Sequence, residues 1–95
     1  MTDLEHLARI FTALGHGRRL ELMSHVMSTP PDELRSVSSL AAALEISRFT
    51  ASHHLAILRA ADLIDARKVG LTVAHRVKTD TLLKVEDWCI SLVDV

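Results

Sequence analysis

The stretch Ser36-Val37-Ser38-Ser39-Leu40-Ala41-Ala42-Ala43-Leu44-Glu45-Ile46-Ser47-Arg48-Phe49-Thr50-Ala51-Ser52-His53-His54-Leu55 reads as two helices with almost nothing between them. Ser36 is available to cap a short alanine-rich helix, because a serine hydroxyl can accept from the unpaired N–H groups of a first turn. Glu45-Ile46 is a tight break, and Ser47 caps a longer helix that runs to about residue 61. A short helix, a turn of a few residues and a longer helix is the helix-turn-helix pattern. The second helix has two distinct faces. Ala51, His54, Leu55, Leu58 and Ala61 lie on one side, towards a core. Phe49, Ser52, His53 and Ala56 recur at i, i+3, i+4 and i+7 on the other, which faces outward.

Upstream, Leu4, Leu7, Ala8, Phe11 and Leu14 form the apolar stripe of a first helix, which Gly15 and Gly17 end. A second helix is predicted over residues 18–27, with Leu22, Met23, Val26 and Met27 inward. Ser28-Thr29-Pro30-Pro31 stops it, since neither proline can continue the hydrogen-bond ladder. Downstream of Leu63 the period changes to two. Residues 64–68 and 72–78 read as strands, with Val73, His75 and Val77 on one face. Gly70-Leu71 between them suits a hairpin turn, the glycine supplying a positive φ. Thr79-Asp80 caps a last helix bearing Leu82, Val85, Cys89, Leu92 and Val93 on one stripe. The expected architecture is mainly α with a small β-hairpin wing, in the order helix-helix-helix-helix-strand-strand-helix. That is a winged helix-turn-helix occupying residues 1–95 as one domain.

Ninety-five residues leave no room for a second domain. A chain of this size buries about 60–65% of its unfolded surface, so a partner subunit would help. The core is aliphatic: 48% of residues are hydrophobic, yet Phe11, Phe49 and Trp88 are the only aromatics. Three glycines and two prolines are too few for an all-β fold with many turns or for a disordered linker. One cysteine, Cys89, excludes an intrachain disulfide and any zinc site with several cysteines. No apolar run approaches the roughly 18 residues of a membrane span, so no membrane partner is expected. Asp3 and Glu5 argue against a secretory signal, and the expected location is cytoplasmic.

The net charge of −1 conceals a strong division along the chain. Residues 1–45 carry four arginines against six acids, a charge of −2. In residues 46–78, Arg48, Arg59, Arg67, Lys68, Arg76 and Lys78 stand against Asp62 and Asp65, giving +4. Residues 79–95 carry one lysine against four acids, giving −3. His53, His54 and His75 also fall in the positive third. Either this is a localised face for an anionic partner or it is an ordinary solvated charge distribution.

Three strings resemble the ArsR/SmtB family of bacterial repressors. They are Phe11-Thr12-Ala13-Leu14-Gly15-His16-Gly17-Arg18-Arg19-Leu20-Glu21-Leu22, then Ile46-Ser47-Arg48-Phe49-Thr50-Ala51-Ser52-His53-His54-Leu55, then Leu58-Arg59-Ala60-Ala61-Asp62-Leu63-Ile64, followed by Gly70 and the wing strand. They lie in register across roughly residues 8–78. The resemblance implies a homodimeric, sequence-specific transcriptional repressor of double-stranded DNA. The 47–61 helix would enter the major groove, with Arg48, Phe49, Thr50, Ser52 and His53 nearest bases and phosphates. A wing of Arg67, Lys68, Thr72 and Arg76 would brace the flanking backbone or minor groove. Helices near 2–14 and 80–93 would form the dimer interface through Leu4, Leu7, Phe11 and Leu14 on one stripe and Leu82, Val85, Cys89, Leu92 and Val93 on the other.

Departures from the family pattern carry information. Glu45 stands in the turn where the family usually has glycine; if left-handed, it costs on the order of 1 kcal/mol. Leu71 follows the wing glycine where the family often has arginine, which puts one wing contact in doubt. Phe49 replaces a small residue, either to touch a thymine methyl or to pack on the preceding helix. Ser36 and Ser38 occupy the positions where metal-sensing members carry two cysteines, and a hydroxyl lacks the thiolate charge that binds soft metals. Past His75 the chain has no histidine, so a zinc site between the last helices cannot be filled either. No metal or other cofactor is expected.

His54, on the inward face, reads as a packed, hydrogen-bonded histidine rather than a ligand. His6, His16 and His25 have no mutual ligand spacing and read as surface or loop residues. Cys89 reads as a small buried hydrophobe, with a redox role conceivable only if two copies approach across a two-fold axis. The competing class is a winged-helix module for protein–protein contact, favoured slightly by the net acidity and the missing wing arginine. An enzyme is not expected, because no nucleophile–base pair, paired carboxylates or glycine-rich phosphate loop is present.

Overall fold

The computed structural model describes residues 3–30 and 35–93. Four helices come first: α1 (Asp3–Leu14), α2 (Gly17–Ser28), α3 (Val37–Leu44) and α4 (Arg48–Ala60). The strands β1 (Ile64–Val69) and β2 (Thr72–Val77) follow, then α5 (Thr79–Val93). This is the expected winged helix-turn-helix order, with every element within one or two residues of its expected bounds. Of the stop signal after α2, Pro31 lies outside the described residues.

Local chemistry accounts for the helix ends. Ser36 Oγ accepts from the Ser39 N–H at 3.1 Å, and Ser47 Oγ accepts from the Thr50 N–H at 3.0 Å, so both serines cap as expected. His16 caps α2, its Nδ1 accepting from the Arg18 N–H at 3.2 Å. Gly15 allows the chain to turn off α1, because a Cβ there would lie 3.2 Å from the Phe11 carbonyl oxygen.

Both helices of the helix-turn-helix end in the same way. Glu45 is left-handed, with φ 55° and ψ 44°. Its N–H donates to the Ala42 carbonyl, and the Ile46 N–H reaches back to Ala41 at 3.0 Å. That is a Schellman motif, in which the left-handed position ordinarily belongs to glycine. At the end of α4, Asp62 has φ 65°, its N–H donates to Arg59, and the Leu63 N–H donates to Leu58 at 3.0 Å. The two acids differ in what holds them. The Asp62 carboxylate accepts from Lys78 Nζ and from Thr81 Oγ1, whereas among the described residues the exposed Glu45 carboxylate has no partner.

The core forms where α1, α2, α3 and α4 meet. Ile10, Leu22, Val26, Leu40, Leu55 and Leu58 fill it, and Leu63 and Ile64 close it where the chain leaves α4 for the wing. Strands β1 and β2 pair antiparallel from Ile64↔Val77 to Val69↔Thr72, a two-residue hairpin. Only Gly70 of the turn has positive φ, at 62°, which is the arrangement of a type II′ turn. The wing is tied back at its base: the Lys78 N–H donates to Leu63, and the His75 N–H and Nδ1–H both donate to the Arg35 carbonyl.

Some readings of the sequence need correction. Met27 is 61% exposed, because Leu22, Met23 and Val26 already span the inner face of α2. Val73, His75 and Val77 do share one face as expected, though of the three only His75 is buried, since the hairpin leaves the core before reaching Val73. Cys89 is exposed in the single chain rather than buried. The chain measures 47 × 24 × 24 Å, and Thr81 is the one fully buried residue of α5 among those described.

Leu58 is fully buried, so Leu58→Ala should destabilise the fold by about 2–5 kcal/mol, read from the urea midpoint. Leu20→Ala, on the outer face of α2, should change it by no more than about 0.5 kcal/mol. Glu45→Gly should stabilise by up to about 1 kcal/mol through relief of the left-handed strain. Glu45→Ala, which keeps the Cβ, should not, and equal gains for the two variants would assign the effect to charge instead.

Candidate nucleic-acid interface

The inner face of α4 determines what its outer face presents. Ala51, His54, Leu55 and Leu58 are buried, so Arg48, Phe49, Ser52, His53 and Ala56 project into solvent. Phe49 is 86% exposed, which excludes its packing on α3 and leaves an apolar ring on the outer surface. Thr50 is half-buried, and its hydroxyl lies 2.9 Å from Ser47 Oγ, so it is engaged in the helix cap. Ser52 and His53 thus stand one turn into the helix as exposed groups able to hydrogen-bond.

In the wing, the strand period divides the expected contacts. Arg67, Thr72 and Arg76 share one face of the hairpin with Asp65, whereas Lys68 lies on the face that carries His75. Arg76 sits directly across from Asp65, and its Nε donates to both carboxylate oxygens at 3.0 and 3.1 Å. Lys78 is held by Asp62. This hydrogen bond is the main reason the Asp62 carboxyl lies below the usual carboxylate range, and Lys78 is raised by the same contact. Among the described residues, the remaining cations of the basic third, Arg48, Arg59, Arg67 and Lys68, are exposed and enter no ion pair. The unneutralised charge therefore lies on α4 and along β1.

Of the histidines in the basic third, only His53 is on the surface. His75 is buried, and since a carbonyl only accepts, its Nδ1 carries the hydrogen. His54 is buried as expected, and Arg19 Nη1 lies 3.3 Å from its Nδ1. Burial first, then the nearby His16, Arg19, His53 and Arg18, lower its pKa. The roles of Arg19 and Arg35 were not legible in the sequence. Each reaches a carbonyl six residues back along the chain, on Ala13 and Thr29, and no spacing rule marks such a contact.

The expected dimer stripes divide likewise. Leu4, Phe11, Cys89, Leu92 and Val93 are exposed. Leu14, Leu82 and Val85 are half-buried against the chain's own core, and Leu7 is buried within it. Leu83 and Ile90 of α5 are also exposed and were not foreseen. The Phe11 and Trp88 rings meet at 5.5 Å and hold α1 against α5, beside a groove of about 310 Å³ between these helices. Among the described residues, no group of three or more His, Cys, Asp or Glu side chains is placed to hold a metal, and no helix is long and apolar enough to cross a membrane.

Comparison with known proteins agrees with this geometry. Residues 16–66 match the family described as bacterial regulatory protein, arsR family. A transcriptional repressor SmtB homolog from Synechocystis sp. is 37% identical over 75 residues, covering 79% of this chain and 54% of that protein. The chain thus spans about half the length of that curated relative. Among solved structures, an ArsR-like transcriptional regulator from Rhodococcus sp. RHA1 superposes with a TM-score of 0.86 at 28% identity, over 97% of this chain and 83% of that one. A homodimeric winged helix-turn-helix DNA-binding domain from Mycobacterium bovis, a possible ArsR-family transcriptional regulator, gives 0.72 at 28% identity over 93% and 80%. With its helix-turn-helix and wing in this order and more than half its length within the family pattern, the chain belongs to the arsR family of bacterial regulatory proteins.

Proposed function

We propose that the protein is a sequence-specific transcriptional repressor that binds double-stranded DNA as a homodimer. The observation that carries this reading is the outer face of α4, which offers Ser52 and His53 for base edges, Arg48 for a guanine edge or a phosphate, and Phe49 for a thymine methyl. Arg67 and Lys68 on β1 would brace the phosphate backbone. Arg76 contributes less, because Asp65 already holds its guanidinium, and Thr50 serves chiefly to anchor the start of the helix. A protein–protein module would have little use for a basic edge beside a polar recognition helix. No enzymatic role is assigned, and the cytoplasm is where such a repressor meets its DNA.

Self-association follows from the apolar surface on the first and last helices. Leu4, Phe11, Leu83, Ile90, Leu92 and Val93 are all exposed on a small chain whose α5 buries little of itself. Large apolar surface of this kind on a small domain marks an interface. The neighbour from Mycobacterium bovis is homodimeric, and here the exposed apolar residues of α1 and α5 offer a surface for such pairing. Sedimentation at micromolar concentration should give twice the 10.5 kDa chain mass, and Leu92→Glu with Val93→Glu should shift it towards monomer. A monomer in the unmodified protein would overturn the pairing.

Two recognition helices across a two-fold axis should read an inverted repeat with half-site centres roughly 34–36 Å apart. Selection from a random duplex pool should recover one. On that duplex, Ser52→Ala or His53→Ala should cost about 1–3 kcal/mol per lost base contact and blur the preference. Arg67→Ala or Lys68→Ala should weaken all sequences alike and flatten the salt dependence, since phosphate contacts act through counterion release. Arg76→Ala should have the smallest effect of the wing variants. Equal losses on selected and random DNA for both classes would remove Ser52 and His53 from the reading role.

A further inference from the structure

Arg19 lies where three helices cross. Its Nε donates to the Ala13 carbonyl at the end of α1, and its Nη1 lies 3.3 Å from His54 Nδ1 on α4. A guanidinium can only donate, so His54 must accept at Nδ1 and carry its hydrogen on Nε2: the geometry requires a neutral ring. His16 is under the same constraint, because its Nδ1 accepts from the Arg18 N–H at the start of α2. The His16 and His54 ring centroids are 4.7 Å apart, and those of His53 and His54 are 5.6 Å apart.

Among the described residues, no carboxylate relieves this cluster. From α2 it is faced by His16, Arg18 and Arg19, and from α4 itself by His53. The residues of α3 include no titratable group. From α1, Arg9 lies further along α4, beside Ile57 and Ala60, and Ala13 contributes only its carbonyl. On β1, Asp65 is held by Arg76, and Glu21 on α2 is held by Arg18 at 3.3 Å. Each group facing His54 is a cation or becomes one on protonation.

We propose that the Arg19–His54 contact is a proton-operated latch: protonation of His54 turns its acceptor into a donor facing a guanidinium, breaks the polar tie between α4 and α2, and releases sequence-specific DNA. The release from DNA rests on the function proposed above; the opening of the latch does not. The direction is fixed by linkage. Burial and the surrounding cations hold the His54 pKa below its ordinary 6.5, so the folded ring takes up its proton at lower pH than the unfolded one. The contact is therefore fully stabilising above about pH 7 and loses its contribution as pH falls through 6.5 towards the folded pKa. Simple charge predicts the opposite for DNA, because protonating surface histidines adds positive charge and strengthens nonspecific binding. The sign of the pH dependence separates the two.

The test uses the full chain at constant ionic strength between pH 8 and 5.5, with the duplex recovered by selection at pH 8 and a scrambled duplex of the same length. Affinity for the selected duplex should be lost progressively as pH falls below 6.5, while affinity for the scrambled duplex holds or rises. In the free protein, nitrogen NMR should show His54 as the Nε2–H tautomer at pH 8, and amide protection in α2 and α4 should drop as it protonates. His54→Gln supplies an acceptor that does not titrate and should abolish the loss of selected-duplex affinity and of amide protection in acid. Unchanged or tighter binding of the selected duplex in acid, or a His54→Gln profile with the slope of the unmodified protein, would overturn the coupling to DNA. An Nδ1–H tautomer at pH 8, or protection that does not follow His54, would overturn the latch itself. If His54→Gln does not fold, the NMR of the unmodified protein decides. If selection enriches no duplex, the DNA-reading function falls and the latch is judged on the free protein alone.

Discussion

The burial of one face of α4 is the constraint on which the rest of the molecule depends. Leu55 and Leu58 occupy the centre of a core to which α1, α2 and α3 each contribute, so α4 cannot rotate about its axis without exposing them. That rotational setting places Phe49, Ser52 and His53 outside. Because the protein interior is close-packed, the position of the outer groups is inherited from the fit of the inner ones. Arg19 and His54 extend the same constraint to polar atoms: burial is tolerated there because the guanidinium and the imidazole satisfy one another.

The two Schellman ends frame the helix-turn-helix. At Glu45 the chain must reverse within two residues to bring Ser47 into capping position, and the left-handed conformation is imposed on a side chain with a Cβ. At Asp62 the same conformation is stabilised by the Lys78 ammonium and the Thr81 hydroxyl, which join the end of α4 to the start of α5. The Lys78 N–H, bonded to Leu63, adds a backbone tie at the base of the wing. The wing's orientation relative to α4 is thus determined by contacts around Asp62 and Leu63, well away from the exposed cations it carries.

The electrostatic pattern along the chain was legible only in outline. The excess of six cations over two carboxylates in residues 46–78 marks the basic region, but a charge count does not reveal pairing. Cross-strand register puts Arg76 opposite Asp65 and leaves Arg67 and Lys68 unneutralised, on opposite faces of the hairpin. Likewise, the three histidines of the basic third have three different fates: His53 is exposed, His54 is buried against Arg19, and His75 is buried against the Arg35 carbonyl. The apolar stripes of α1 and α5 were readable as stripes. Which residues serve the chain's own core was not, so Leu7 is internal while Leu83 and Ile90 lie outside.

By itself the sequence determined the element order, the caps at Ser36 and Ser47, the turn at Gly70 and the inner and outer faces of α4. These are local properties: hydrophobic period, capping chemistry and backbone sterics act over a few residues and are written in adjacent positions. Only the tertiary structure decided the left-handed state of Asp62, the neutralisation of Arg76, the tautomer imposed on His54 and the joining of α1, α2 and α4 by Arg19. Each of those depends on a partner brought close by the packing of separate elements, as Arg19 and His54 are across 35 positions of sequence. A pattern with a period of 3.6 or 2 says which way a side chain points; what it meets there is set by how the helices pack.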